Sequence, residues 1–372
     1  MFTMQSTLLV GQYDWDESRL PKLEFAERID AFWASFPDKN CAGLAVYGDR
    51  RNSAELAYFS HLVPKLQDAV ILLPRNGKAR VLVGGGKNAM PTAARQTWVE
   101  IEALGDLAKS LSQWAAELKG KVAFVGDEYL RGPAHKGVAE ALDSREQSAQ
   151  AATTVRGLMQ RKRPREIAAV RDAIVALKAV AAALADAQRS GSGVTDAIVT
   201  AEHAAHALGV QEVRTLFSID GGKTLRPFIS PSADKVAALQ AYIAVRHEGY
   251  WADGHVALSA SSHAVLAKAA EALKALLPMV KPGARCADLA RAAVEGIHPY
   301  GEHPVSAGSA GNGIGLFLDE APTLAPGSQA LIESGGIYSL RVGASDGGLG
   351  HGIASAMVLV NANGNEVLWS SV

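Results

Sequence analysis

The spacing of apolar and polar residues along the first 150 positions predicts alternating helices and strands. Apolar residues recur at helical spacing over 23–36, whereas CAGLAVYG at 41–48 is a short apolar run typical of a buried strand. Two β-rich runs within 68–85 are joined by an Arg-Asn-Gly turn, which is a hairpin signal. A further helix is predicted over 106–118 and a further strand over 121–128. The N-terminal part is therefore predicted to be an α/β domain.

The pattern changes near residue 155, where a basic segment leads into a long alanine-rich helix. Pro164 near its start and Gly191 at its end are placed where these residues begin and end helices. Further along, strands are predicted at 213–219, 237–245 and 250–259, helices at 262–277 and 286–297, and β structure from 330 onward. Grouped helices and antiparallel strands indicate an α+β fold. We expect two domains, residues 1–155 and 156–372.

Composition and charge exclude several classes of protein. The formal net charge is −1 and no basic stripe is visible, so nucleic acid is not an expected partner. No apolar run approaches the roughly eighteen residues of a membrane span, and the N-terminus lacks the pattern of a signal peptide. A cytoplasmic protein with no membrane partner is expected. Cys41 and Cys286 are predicted to be free thiols, although a disulfide between them is the alternative.

A glycine-rich loop, GNGIGLFLDE at 311–320, raises the question of chemistry. Glycines at 311, 313 and 315 let the backbone approach another group closely, as in a loop around a reactive centre. Such a loop usually presents a side chain that binds a metal or moves a proton. Here the chain presents Asn312, which does neither well.

Several stretches of the second half resemble the pita-bread superfamily, which includes methionine aminopeptidase, aminopeptidase P, prolidase and creatinase. GYWADGHVALS resembles the strand that carries a metal-binding Asp in this superfamily, and GNGIGLFLDEAP resembles its GHGIG…HE loop. LIESGGIYSL resembles its EPGIY strand, and MVLVNANGNEVL its closing hairpin. The resemblance implies a creatinase-type α/β N-terminal domain followed by an α+β pita-bread domain of the catalytic type.

The resemblance also locates the positions of the metal ligands. The peptidases of the superfamily hold two metal ions with two Asp, one His and two Glu, since hard cations prefer carboxylate oxygens. Those positions are Tyr242, Asp253, Asn312, Glu333 (allowing one inserted glycine) and a place at or beside Ser355. Because two of the five ligands remain, we expect no native metal pair, and no cofactor is expected.

The catalytic residues of known relatives are also replaced. Asp319 stands where family peptidases keep a histidine on the substrate side, and Leu225 stands where creatinase has its catalytic histidine. Neither ordinary peptidase activity nor creatinase activity is therefore predicted.

His255 is the main catalytic candidate. It follows Asp253 by two residues on a predicted strand, so both side chains point to one face. With Glu333 projecting into the same pocket, this group would suit proton transfer, because His titrates near neutrality and a carboxylate fixes its tautomer. His351, among glycines, is the second candidate. The alternative is that His255 is a structural residue filling the space of a lost metal.

The remaining candidates would bind substrate. Arg226 and Arg341 could hold a carboxylate, although ordinary salt bridges are the alternative. Tyr250 and Trp251 could wall the pocket, although aromatic packing in the core is commoner. The resemblance places Arg51 on a turn that reaches the partner's active site in a homodimer. Further predicted substrate contacts are Asn312, Asp319, Tyr242 and Ser355.

Three functions follow as hypotheses. The first is a metal-independent, creatinase-like enzyme that hydrolyses or eliminates a C–N or similar bond in a small, polar, carboxylate-bearing metabolite. The second is a catalytically inactive pita-bread protein that binds a peptide or small molecule. The third is a mononuclear metal hydrolase or peptidase that uses Asp253, His255 and Glu333, because Asp, His and Glu together form a legitimate zinc ligand set.

Overall fold

The computed structural model describes residues 14–64, 68–227, 238–259 and 264–372. The chain divides into two compact units, Met1–Met159 and Gln160–Val372. No helix formed by the described residues is long and apolar enough to cross a membrane. Cys41 and Cys286 are both buried free thiols.

The first unit is an α/β domain, as predicted. Its helices are α1 (Lys22–Ser35), α2 (Ala54–Ser60), α3 (Met90–Arg95), α4 (Leu107–Leu118), α5 (Pro133–Leu142) and α6 (Arg145–Gln160). Its strands are β1 (Gly43–Gly48), β2 (Ala69–Pro74), β3 (Arg80–Val83), β4 (Glu100–Ala103) and β5 (Val122–Val125). They form a mixed sheet in the order β4-β3-β2-β1-β5. Leu111 and Trp114 of α4 and Val138 of α5 pack against one face of this sheet.

The second unit has the predicted α+β composition. Its helices are α7 (Pro164–Ser190), α8 (Val194–His206), α9 (Ala264–Leu276) and α10 (Cys286–Gly296). Its strands are β6 (Glu212–Ser218), β7 (Ala238–His247), β8 (Tyr250–Ser259), β9 (Gly301–Glu302), β10 (Gly311–Gly313), β11 (Glu320–Thr323), β12 (Ile337–Asp346), β13 (Gly350–Asn361) and β14 (Gly364–Ser370). One sheet has the order β6-β7-β8, and the other β11-β10-β12-β13-β14 with β9 beside β12.

Period-two alternation on β12 separates an apolar face from a polar one. Tyr338, Leu340 and Val342 belong to the core that α9 and α10 cover. Ser339 and Arg341, between them in sequence, point to the opposite face. The polar face of this sheet therefore supplies side chains from which a site can be formed.

A close contact fixes the spacing between β8 and β14. A Cβ added at Gly254 would lie 2.2 Å from the ring of Trp369, which is 6% exposed. Gly254→Ala should therefore lower the free energy of unfolding by about 1–3 kcal/mol, the usual effect of overpacking, as measured by urea denaturation. Gly347→Ala is the control, because a Cβ there meets nothing within 4 Å. Equal stability of the two variants would contradict the prediction.

Candidate functional site

The centre of the candidate site lies on one face of the β6–β8 sheet. Alternation along β8 places Trp251, Asp253 and His255 on the same face. Tyr242 of β7 is the register partner of His255, and the two rings lie 4.9 Å apart between centroids. The Tyr242 hydroxyl donates to Oδ2 of Asp253 at 3.0 Å. The resemblance assigns the first metal-binding aspartate to position 242, where this chain has a phenol.

The glycine-rich loop and β12 bring an arginine to the same place. Nη1 of Arg341 donates to Oδ1 of Asn312 at 2.8 Å, and Nη2 donates to the Ser309 hydroxyl at 3.4 Å. The amide of Asn312 donates to the carbonyl oxygens of Gly313 and Leu318, at 2.8 and 3.2 Å. Asn312 therefore stabilises its own loop and holds the guanidinium of Arg341 by hydrogen bonds, which is the role of the asparagine in this glycine-rich loop.

Side chains of β13 satisfy the backbone at the edge of β8. The Ser355 hydroxyl accepts from the amide of His255 at 2.6 Å, and Sδ of Met357 accepts from the amide of Asp253 at 3.3 Å. Because Ser355 is buried and used in this way, its contact is with the protein backbone. The predicted substrate contact at Ser355 is better described as a support for the His255 strand.

Burial dominates the electrostatics of the site. It raises the pKa of Asp253, and the Ser339 and Tyr242 hydroxyls and the charge of Arg341 oppose the rise. Burial also lowers the pKa of His255 to about 3, helped by the positive charge of Arg341 and by His303. His255 is therefore neutral at physiological pH. Its low pKa does not suit the predicted role of a proton shuttle near neutrality.

Three polar atoms at this centre are buried without a hydrogen-bond partner among the described residues. They are Oδ1 of Asp253, Nδ1 of His255 and Nε of Arg341. Buried polar atoms are nearly always paired in native proteins, and exceptions often mark functional places. The three atoms belong to neighbouring side chains, so they indicate a place prepared for a ligand.

His351 lies beside another buried histidine. Its Nδ1 is 2.7 Å from the Ser345 hydroxyl, and its ring meets that of His303 at 5.5 Å between centroids. Nδ1 of His303 accepts from the amide of Val305, so its Nε2 carries the proton and donates to the carbonyl oxygen of Gly222 at 2.8 Å. Both ring nitrogens of His303 are therefore used in hydrogen bonds to the backbone, while the catalytic role assigned to His351 stays a prediction.

Four predicted site residues make contacts that differ from expectation. The carboxylate of Glu333 pairs with Arg161 at 2.7 Å, because Glu333 precedes the turn at Gly335 and lies outside the regular alternation of β12. Arg226 is exposed and lies 3.7 Å from Asp220. Tyr250 points to the opposite face of β8, where its hydroxyl donates to Glu166 at 3.1 Å. Glu333, Tyr250 and Arg226 were expected to contact the pocket, and the structure gives their side chains these other contacts instead. Ser355 was expected to contact substrate, and it supports the backbone of β8.

Trp251 and Asp319 are two further predicted site residues, and Ser339 is a residue of the site that the sequence analysis missed. Trp251 is on the site face, with the guanidinium carbons of Arg214 and Arg246 at 4.6 and 5.5 Å from its ring centroid. Asp319 is exposed, and its charge raises the pKa of Asp253. Ser339 was missed, although its spacing of two residues from Arg341 on a strand would have placed it on the site face.

In the first unit, Arg51 is exposed and its backbone amide donates to Asp49 at 2.7 Å. The expected homodimer, with this turn near the partner's site, stays a prediction.

The metal pair of the superfamily does not fit these residues. Among the described residues, no three His, Cys, Asp or Glu side chains come together so that they could hold a metal ion. Of the two retained carboxylates, Asp253 accepts from Tyr242 and Glu333 pairs with Arg161. The guanidinium of Arg341 adds a positive charge that disfavours a cation at the same place.

Comparisons with known proteins give the family and the fold. The profile of metallopeptidase family M24 matches residues 170–361. The chain is similar to the X-Pro aminopeptidase from Thermotoga maritima MSB8, with 17% identity, a TM-score of 0.74 and coverage of 91% of this chain and 96% of that chain. It is similar to the dipeptidase PepE from Mycobacterium ulcerans, with 19% identity, a TM-score of 0.75 and coverage of 96% and 97%.

Another similar fold is named as something other than a peptidase. The N-terminal domain of the FACT complex subunit SPT16 from Cicer arietinum (chickpea) matches with 15% identity, a TM-score of 0.63 and coverage of 94% of this chain and 97% of that chain. A comparison with curated proteins finds no match. At these identities the structural matches establish the pita-bread fold, and they confirm the resemblance drawn from the motifs.

The first functional hypothesis, a metal-independent creatinase-like enzyme, is wrong. The matching family is one of metallopeptidases, and the similar structures include an X-Pro aminopeptidase, an Xaa-Pro dipeptidase and a prolidase. These comparisons favour the mononuclear metal hydrolase or peptidase over the creatinase-like enzyme.

Proposed function

The chain belongs to metallopeptidase family M24, and we propose that its second unit binds a short peptide, or a small molecule of similar chemistry, by its carboxylate at Arg341. The carrying observation is that guanidinium. It donates one hydrogen bond to Asn312 and a longer one to Ser309, and its buried Nε has no partner among the described residues. An arginine fork is well suited to a carboxylate.

The neighbours of Arg341 support the choice of an anion. Two acidic groups lie nearby, Asp253 and the exposed Asp319. Burial raises the pKa of Asp253, which weakens its ability to neutralise the guanidinium. His255 is neutral and cannot repel a carboxylate or attract it by charge. The site therefore has an arginine whose charge a ligand carboxylate would balance.

The peptide is chosen from the names of similar proteins. Two of them carry X-Pro or Xaa-Pro in their names, the X-Pro aminopeptidase from Thermotoga maritima MSB8 and the Xaa-Pro dipeptidase from Bacillus anthracis. A proline dipeptide such as L-alanyl-L-proline carries one free carboxylate, which the guanidinium of Arg341 could hold. It is the probe of first choice.

Calorimetric titration with L-alanyl-L-proline, in EDTA, tests the proposal. We expect saturable binding without EDTA sensitivity, and Arg341→Gln should weaken it about tenfold to a hundredfold, since a hydrogen bond to a charged group contributes about 1.5–3 kcal/mol. The affinity of Arg341→Lys should lie between those of wild type and Arg341→Gln, because lysine keeps the charge and loses the forked guanidinium. Arg226→Gln is the matched control, since Arg226 is exposed and pairs with Asp220.

Absence of saturable binding, or equal binding by wild type and Arg341→Gln, would overturn this proposal. The same preparations are then assayed for release of free proline with and without added Zn²⁺ or Mn²⁺, which separates binding from hydrolysis.

A mononuclear metal-dependent peptidase is the second candidate. It is favoured by the unpartnered Oδ1 of Asp253 and Nδ1 of His255 on one strand face, since carboxylate and neutral imidazole are zinc ligands. Two donors fall short of the usual three protein ligands of a catalytic zinc site. Stoichiometric Zn²⁺ binding that is lost in Asp253→Asn and His255→Ala, together with zinc-dependent proline release, would favour this candidate over a site that only binds.

A further inference from the structure

A second candidate site lies in the first unit. A cavity of about 350 Å³ opens beside β5, between that strand and helices α5 and α6. Pockets that bind small molecules usually start at about 300 Å³. Its apolar wall is formed by Phe124, Val138 and Leu142. All of its lining residues belong to the first unit, whereas Arg341 belongs to the second.

The edge of β5 that faces this cavity is already occupied by serines. The Ser144 hydroxyl donates to the carbonyl oxygen of Val122 at 2.5 Å, and the Ser148 hydroxyl accepts from the amide of Phe124 at 3.0 Å. A peptide strand therefore cannot simply extend the sheet at these two positions. A ligand in the cavity would instead meet side chains.

The charged side chains around the cavity have both signs. Asp127 and Asp143 supply carboxylates, and Arg145 supplies a guanidinium. Neither Asp143 nor Arg145 forms an ion pair with another residue in the described part of the chain. His135 adds an imidazole at the same rim. These groups offer partners for a cation and for an anion within one pocket.

We propose that this cavity binds a free amino acid with an apolar side chain, holding its ammonium group at the Asp127 and Asp143 carboxylates and its carboxylate at Arg145. The apolar wall would receive the side chain. Asp127, Asp143 and Arg145 are exposed at the rim of the cavity. A zwitterion can contact both the carboxylates and the guanidinium, whereas a ligand with one charge can contact only one kind of group.

The environment of Asp127 supports a cationic partner. Partial desolvation raises the pKa of this carboxyl, and its neighbour Glu128 raises it further, while His135 lowers it. The carboxylate form of Asp127 is thus short of positive charge in the free protein. An ammonium group placed beside it would stabilise that form.

Calorimetric titration of the full chain with three matched ligands tests the inference. L-leucine has both charges, 4-methylpentanoate lacks the ammonium group, and 3-methylbutylamine lacks the carboxylate. We expect saturable binding of L-leucine and at least about tenfold weaker binding of each analogue, since each loses a charge-assisted hydrogen bond. Asp127→Asn and Arg145→Gln should weaken L-leucine binding by a similar factor.

Two control variants show whether L-leucine binds at this cavity. Arg131→Gln changes an exposed arginine on the neighbouring turn that does not line the cavity, and should leave binding unchanged. Arg341→Gln should also leave L-leucine binding unchanged, whatever it does to L-alanyl-L-proline. The inference is overturned by absence of saturable L-leucine binding, by equal binding of the analogues, or by binding that survives Arg145→Gln but not Arg341→Gln.

Discussion

Glu320→Gln should lower the free energy of unfolding by about 3–5 kcal/mol, because it breaks a buried ion pair from one side. Nζ of Lys162 lies 2.5 Å from Oε2 of Glu320, and the two side chains are only 2% and 6% exposed. Oε1 of Glu320 also accepts from the amide of Phe317 at 3.1 Å. The amide that replaces the carboxylate would leave the buried Lys162 charge without this counter-ion.

Urea denaturation of matched variants measures this effect. Lys162→Met combined with Glu320→Leu should recover much of the loss, since a buried pair replaced by apolar residues is often close to neutral. Arg171→Gln is the control: its partner Glu366 is 45% exposed, so we expect a loss of at most about 1 kcal/mol. A loss in Glu320→Gln no larger than this control would mean that the pair contributes little.

The same ion pair explains the third glycine of the loop that braces Arg341. A Cβ at Gly315 would lie 2.6 Å from Cε of Lys162 and 2.7 Å from Oε1 of Glu320. The amide of Trp251 donates to the carbonyl oxygen of Gly315 at 2.7 Å. Loop, ion pair and β8 therefore meet at Gly315.

Elements with strong local signals were predictable from the sequence. Helix α7 is bounded by Pro164 and Gly191, as its proline and glycine indicated, and Gly191 adopts a φ of +69° as a helix C-cap. Helices α2, α3, α5 and α6 were not predicted. Helix α6 has few apolar residues, with Ala151, Val155 and Met159 buried, so its pattern is weak.

The candidate site was predictable only where strand alternation was regular. Asp253 and His255 share a face because they are two residues apart within a ten-residue strand. Tyr250 fails by the same rule, since an odd spacing from Asp253 turns it to the other face. Glu333 lies before β12 begins, and its side chain follows the turn and Arg161 instead. Hydrogen bonds such as that between Asn312 and Arg341 join residues far apart in sequence, so no local pattern could predict them.

The other large effect concerns pH, and it arises at His255. Its pKa in the folded protein is about 3, with burial as the main cause and Arg341 and His303 as further causes. The unfolded chain has the ordinary value of about 6.5, so between these values the unfolded state binds a proton that the folded state does not. The contribution of His255 to the free energy of unfolding is therefore complete above about pH 6.5. It is lost as the pH falls toward 3, and it amounts to on the order of 5 kcal/mol in all.

Between pH 7 and pH 5, wild-type protein should lose about 2 kcal/mol of stability through His255, because one pKa unit corresponds to about 1.4 kcal/mol. Asp253 acts in the opposite direction, since its pKa is raised and its folded form gains a proton as the pH falls. That gain begins above the ordinary carboxyl pKa and offsets part of the loss. Urea denaturation at both pH values should show a smaller loss in His255→Asn, whereas His206→Asn, on the exposed surface of α8, should behave as wild type. Equal losses in wild type and His255→Asn would mean that His255 is protonated in the folded protein, and the neutral imidazole assigned to the site would be wrong.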